Sequence, residues 1–110
     1  MSYDVYLEGD GVKVDHHEEG GTYVLGGTDE AHLNVTYNYA EVYHLFGFSI
    51  RDLDGKRAGD TIEQMATIVE KVGTHRFTDY WAPTPGNAGA ALNTLLTWAR
   101  ANPDATWSVS

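Results

Sequence analysis

The recurrence of apolar side chains changes period near residue 40, and no other feature narrows the fold so far. Before that point the β-prone runs repeat every second residue; after it, apolar residues return every third or fourth. The first spacing lines one face of a half-buried strand and the second one face of a helix. Tyr3, Val5 and Leu7 alternate with Asp4, Tyr6 and Glu8. Beyond the turn Gly9-Asp10-Gly11, Val12, Val14 and His16 alternate with Lys13, Asp15 and His17. Thr22 to Leu25 is a short β-prone run between two double glycines. Leu33, Val35, Tyr37 and Tyr39 then line one face of the clearest strand, with His32, Asn34, Thr36 and Asn38 on the other. Strands in succession with short turns predict an antiparallel meander.

After Tyr39 the helical spacing takes over. Glu41 to Phe46 reads as a short helix closed by Gly47. Asp60, with Glu63 three residues later, has the pattern of an N-cap, and Ile62, Met65, Ala66, Val69 and Val72 follow at helical spacing up to Gly73. A last helix begins at Thr84 with Pro85 in its first position. Its stripe is Ala88, Ala91, Leu92, Leu95 and Ala99, and Asn102-Pro103 ends it; Thr106 to Val109 suits an edge strand. The expected architecture is one α+β domain over residues 1–110, an N-terminal antiparallel β-meander followed by two to three helices packed on one face, with a C-terminal edge strand. A chain of 110 residues buries a real core without covalent staples.

Several chemistries fall away. The chain has no cysteine, so disulfides, thiolate metal sites and thiol nucleophiles are excluded. No run approaches the roughly 18 continuous apolar residues of a spanning helix. Met1-Ser2-Tyr3-Asp4 offers neither a basic nor an apolar leader segment, so no secretory signal is expected, and no membrane association either. The formal net charge is −9, and residues 1–40 hold eight acids against one lysine, a net of −7. Such a surface repels phosphate backbones, which argues against direct duplex binding; the charge serves solubility, or else it engages a basic partner or imitates nucleic acid.

The residues with site potential are polar rather than nucleophilic. Gly20-Gly21-Thr22 and Gly26-Gly27-Thr28 repeat six residues apart; each pair makes a tight turn or a nest of backbone N–H groups. Asp15, His16, His17, Glu18 and Glu19, with His32, include competent metal ligands, but neighbouring residues on a strand point to opposite faces, so no metal and no cofactor are expected. The face His32, Asn34, Thr36, Asn38 either meets water or lines a polar pocket, to which Tyr80, Trp81 and the helix start at Thr84–Asn87 would add an aromatic wall and free backbone donors. The ligand-binding set on this reading is Thr28, His32, Asn34, Asn38, Tyr80, Trp81 and Asn87. None of the four serines stands in a G-x-S-x-G context, so catalytic residues are left unassigned and the expectation leans away from an enzyme.

The block Gly20-Gly21-Thr22-Tyr23-Val24-Leu25-Gly26-Gly27-Thr28-Asp29-Glu30-Ala31-His32-Leu33-Asn34-Val35-Thr36-Tyr37-Asn38-Tyr39 resembles a family of small uncharacterised proteins of bacteriophages and bacterial mobile elements. Asp79-Tyr80-Trp81, Thr84, Gly86-Asn87-Ala88 and Leu92 are similar to that family's second block. The resemblance implies an intracellular, cytoplasmic setting in a host cell; the family has no assigned activity, so no catalytic residues carry over from it. Two functional readings follow. The first is a small acidic accessory factor that binds a host or phage protein, with counter-defence as one role. The alternative is binding or turnover of a small polar or nucleotide-like ligand between the Gly-Gly-Thr turns, the 32–38 strand face and the 80–87 segment.

Overall fold

The computed structural model describes residues 2–9, 12, 18–19, 22–26, 31–79 and 81–110, with the backbone alone for 18–19 and 22–26. Strands β1 (Ser2–Glu8), β2 (Glu18–Glu19), β3 (Thr22–Gly26) and β4 (Ala31–Thr36) precede helices α1 (Ala40–His44), α2 (Ile62–Val72) and α3 (Pro85–Ala101), and strand β5 (Thr106–Val109) follows them. The fold is α+β, with strands first and helices after. One sheet takes the order β2-β3-β4-β1-β5, with every pairing antiparallel. β2, β3 and β4 run as a meander, β1 lies beside β4, and β5 closes the edge next to β1.

The alternation in β1 decides which face is covered. Val5 pairs with Leu33 and Val109, and Leu7 with Ala31 and Trp107. All six are buried and belong to one core with Met65, Ile68, Leu92, Leu95 and Ala99 from α2 and α3. Both helices therefore pack on a single face of the sheet. Trp107 is fully buried and its indole N–H must find an acceptor there. It donates to Thr61 Oγ1 at 2.9 Å, and that hydroxyl donates to the Ala58 carbonyl at 2.7 Å. β5 is thereby tied to the turn that leads into α2.

Two local expectations give way to this packing. The alternating pattern runs on to Tyr39, yet β4 stops at Thr36, whose pairing with Ser2 is the last rung against β1. Thr36 Oγ1 accepts from the Asn38 N–H at 3.2 Å and caps a 3-10 turn over Tyr37–Tyr39. The threonine side chain offers the backbone an alternative just where the ladder runs out. Asp60 does not cap α2; it sits inside the 3-10 turn Ala58–Thr61 and takes a hydrogen bond from Arg57 instead. The need to satisfy Trp107 sets where that turn ends.

α3 forms where the sequence places it. Thr84 is the N-cap, its Oγ1 accepting from Asn87 N, and Pro85 fills the first turn. Gly73 ends α2 with φ at +73°. Gly86 and Gly89, three residues apart on one face of α3, meet backbone: a Cβ on Gly86 would fall on the His75 carbonyl and one on Gly89 on the Gly73 carbonyl. Gly89→Ala is expected to lower the unfolding free energy by about 1–3 kcal/mol through forced overpacking. Thr97→Ala on the exposed side of α3 should change it by no more than about 0.5 kcal/mol. Urea midpoints of the two variants check the contrast.

Candidate functional site

The backbone between α2 and α3 is folded around one buried amide. Asn87 is 4% exposed. Its Oδ1 accepts from the Phe77 N–H at 2.7 Å, and its Nδ2 donates to the carbonyls of Asp79 and Ala82, each at 3.0 Å. Asp79 Oδ1 accepts from Trp81 N at 3.1 Å, Ala82 N donates to the Asp79 carbonyl, and Thr84 N donates to the Ala82 carbonyl. Both polar atoms of the Asn87 side chain are used, and they hold the backbone at Phe77, Asp79 and Ala82.

This loop carries two large apolar side chains into solvent. Phe77 is 56% and Trp81 51% exposed. A third contact fixes the loop from the sheet side, because Asn38 Nδ2 donates to the Trp81 carbonyl at 2.9 Å. The turn that carries Asn38 also carries Tyr37, itself 38% exposed. The Tyr37 ring lies 4.5 Å from that of Tyr3, tilted by 58°, and the Arg51 guanidinium sits 5.4 Å over Tyr3. Burial raises the Tyr39 phenol, Arg76 pulls it down and Asp79 pushes it up, so Tyr39 stays neutral beneath this surface.

His32 and Asn34 belong elsewhere. They lie on the sheet face turned away from α2 and α3, where Tyr6 pairs with His32 and Asp4 with Asn34. Asp4 Oδ1 accepts from His32 Nε2 at 2.9 Å and from Asn34 Nδ2 at 3.2 Å, and Asn34 Nδ2 also donates to Ser2 Oγ at 2.6 Å. The His32 ring is stacked on Tyr6 with centroids 4.4 Å apart and planes 9° from parallel. The hydrogen bonds from His32, then from Asn34, hold the Asp4 carboxyl below the ordinary carboxylate value.

The residues expected to share one site therefore occupy three places. Asn38 and Trp81 meet. Asn87 stands under the same loop but is spent on its backbone. His32 and Asn34 form a separate polar cluster on the outer sheet face. Thr28 and Tyr80, with Gly20, Gly21, Gly27, His16 and His17, lie outside the described residues, while Thr22 and Gly26 bound β3. No group of three or more potential metal ligands converges among the described residues. Sequence reasoning passed over Phe77, although an aromatic among polar residues between two helices was the available signal. It also passed over Asp4, whose link to His32 depends on a strand register that composition does not carry. No family model, curated protein or solved structure matches the chain.

Two outcomes are expected. The folded-state value of Asp4 is depressed, so its contribution to stability is complete above about pH 4 and is lost as pH falls through the lower value. Asp4→Asn should flatten the acid limb of stability, read as urea midpoints between about pH 2 and pH 6. Asn87→Asp keeps the acceptor for Phe77 and removes both donations, which should cost about 1–3 kcal/mol. Amide exchange should quicken at residues 77–84 while the interior of α3 keeps its protection.

Proposed function

We infer that this is a small acidic accessory protein that acts by binding another protein. The observation that carries the reading is the pair Phe77 and Trp81, held half out of the surface by a loop whose backbone is pinned to Asn87. Exposed aromatics on a mobile loop lose ordering entropy when they bind; a loop already fixed loses little. Tryptophan and its aromatic neighbours are the residues that dominate binding energy once covered. The net charge of −9 selects a partner with a basic surface and speeds its encounter. The resemblance of the 20–39 and 79–92 segments to phage and mobile-element proteins supports a host or phage protein as that partner, with counter-defence as the role and the host cytoplasm as the setting.

The small-ligand alternative draws on one contact, the meeting of Asn38 with Trp81. That contact consumes an Asn38 donor, and Asn87 has none to spare. The arrangement supports a surface for a macromolecule better than a polar pocket.

The test uses the full chain as bait in host lysate at low and moderate salt. A saturable partner is expected, with Trp81→Ala weakening its capture about 30-fold, the equivalent of a hot-spot loss of about 2 kcal/mol. Thermal unfolding of that variant should match the wild type, since the ring is half in water already. Capture that survives in a Phe77→Ala Trp81→Ala double variant, or no saturable partner at either salt, overturns the reading.

A further inference from the structure

A second feature lies apart from the 77–82 loop. A groove of about 440 Å3 opens between the end of α1 and the outer side of α2, lined by Phe46, Asp60, Glu63, Gln64, Thr67 and Ile68. Phe46 is 36% exposed and its neighbour Leu45 is 82% exposed. These two are not on a frayed end. Phe46 N and Phe48 N both donate to the Tyr43 carbonyl, Gly47 N donates to the His44 carbonyl, and Gly47 takes φ at +68°. Phe48 fills the core position, buried edge-on against Tyr43 at 5.8 Å and 84°. With that place taken, the turn holds Phe46 at the surface.

The chemistry of the lining is that of a site for a long cationic side chain. Phe46 gives an aromatic surface for a methylene stem, above Ile68, which is itself 1% exposed, and Asp60 and Glu63 bring carboxylates to the lining. Glu63 forms no ion pair among the described residues. Asp60 gives one oxygen to Arg57 at 3.1 Å, and Arg57 turns its other nitrogen to Asp104 at 2.9 Å, so this guanidinium is already shared. An anion is repelled here, and a purely apolar residue leaves the carboxylates without a counter-charge. A guanidinium suits both halves, since it stacks on an aromatic face and forks to carboxylates.

We propose that the Phe46–Glu63 groove seats an arginine side chain from an exposed segment of a partner protein. The stem crosses Phe46, and the guanidinium lies between Glu63 and the free oxygen of Asp60. The proposal rests on the reading of the chain as a protein binder, but it uses none of the residues of the aromatic loop.

The probe is acetyl-Arg-Leu-Arg-amide, titrated into the 15N-labelled full chain, with the citrulline counterpart as its uncharged match. Amide shifts are expected to concentrate at residues 45–47 and 60–68 and to weaken several-fold between about 50 and about 300 mM salt. Glu63→Gln and Phe46→Ala should each weaken binding about three-fold, whereas Trp81→Ala should leave it unchanged. Glu63 stands on the outer side of α2, so Glu63→Gln keeps the fold and decides the matter even where Phe46→Ala perturbs it. Equal shifts with the citrulline peptide, shifts spread over all the carboxylates, or binding unaltered by Glu63→Gln each overturn the proposal. None of those results touches the role of Trp81, and loss of the Trp81-dependent partner leaves the arginine titration standing.

Discussion

Backbone rests directly on backbone where the first turns of α3 meet the chain leaving α2. Gly86 faces the His75 carbonyl and Gly89 faces that of Gly73, and neither approach leaves room for a Cβ. A helix can lie this close to another stretch of backbone only where side chains are absent from the contact. Asn87 sits between the two glycines, so the same contact that seats α3 carries the asparagine under the loop. From there it gathers the Phe77 N–H and the Asp79 and Ala82 carbonyls. The outward presentation of Phe77 and Trp81 follows from how closely α3 is seated on the chain that leaves α2.

The sheet settles its two faces by different means. Under the helices the described residues of β1, β4 and β5 are mainly apolar, and the indole nitrogen of Trp107, brought into that packing, is satisfied through Thr61. On the other face, Asp4, His32, Asn34 and Ser2 hold one another through hydrogen bonds between strands, with Tyr6 stacked on His32. A paired imidazole and carboxylate at such a place stabilise the register of β1 against β4, because a slip of one residue would part them.

What the sequence disclosed, and what it withheld, follows from the range of the interactions involved. α3 was legible in full because its cap, its proline and its stripe are all local, and the alternation of Val5 and Leu7 showed correctly which side of β1 is buried. Asn38 was misplaced because the same alternation continues past Thr36 while the partner strand does not. Asp60 was misplaced because Trp107, far along the chain, fixes the turn before α2. Asn87 read as a helix-start residue open to a ligand; that its amide turns back on residues 77–82 depends on a loop path that no spacing encodes. Phe46 and Phe48 are alike in the sequence, and only the completed core determines which of them is left outside.

The place of β1 bears on the order in which the molecule assembles. One neighbour of this strand comes from residues 31–36 and the other from 106–109, and Ser110 exchanges two backbone hydrogen bonds with Asp4. During synthesis β1 is made before both of its neighbours, and one of its edges stays open while some seventy residues are added between β4 and β5. Contacts between such distant parts of a chain form late and slowly. An open edge with Val5 and Leu7 beside it invites other chains meanwhile. Asp4 and Glu8, both acids on the opposite side of that strand, supply the repulsion that discourages such pairing until β5 arrives.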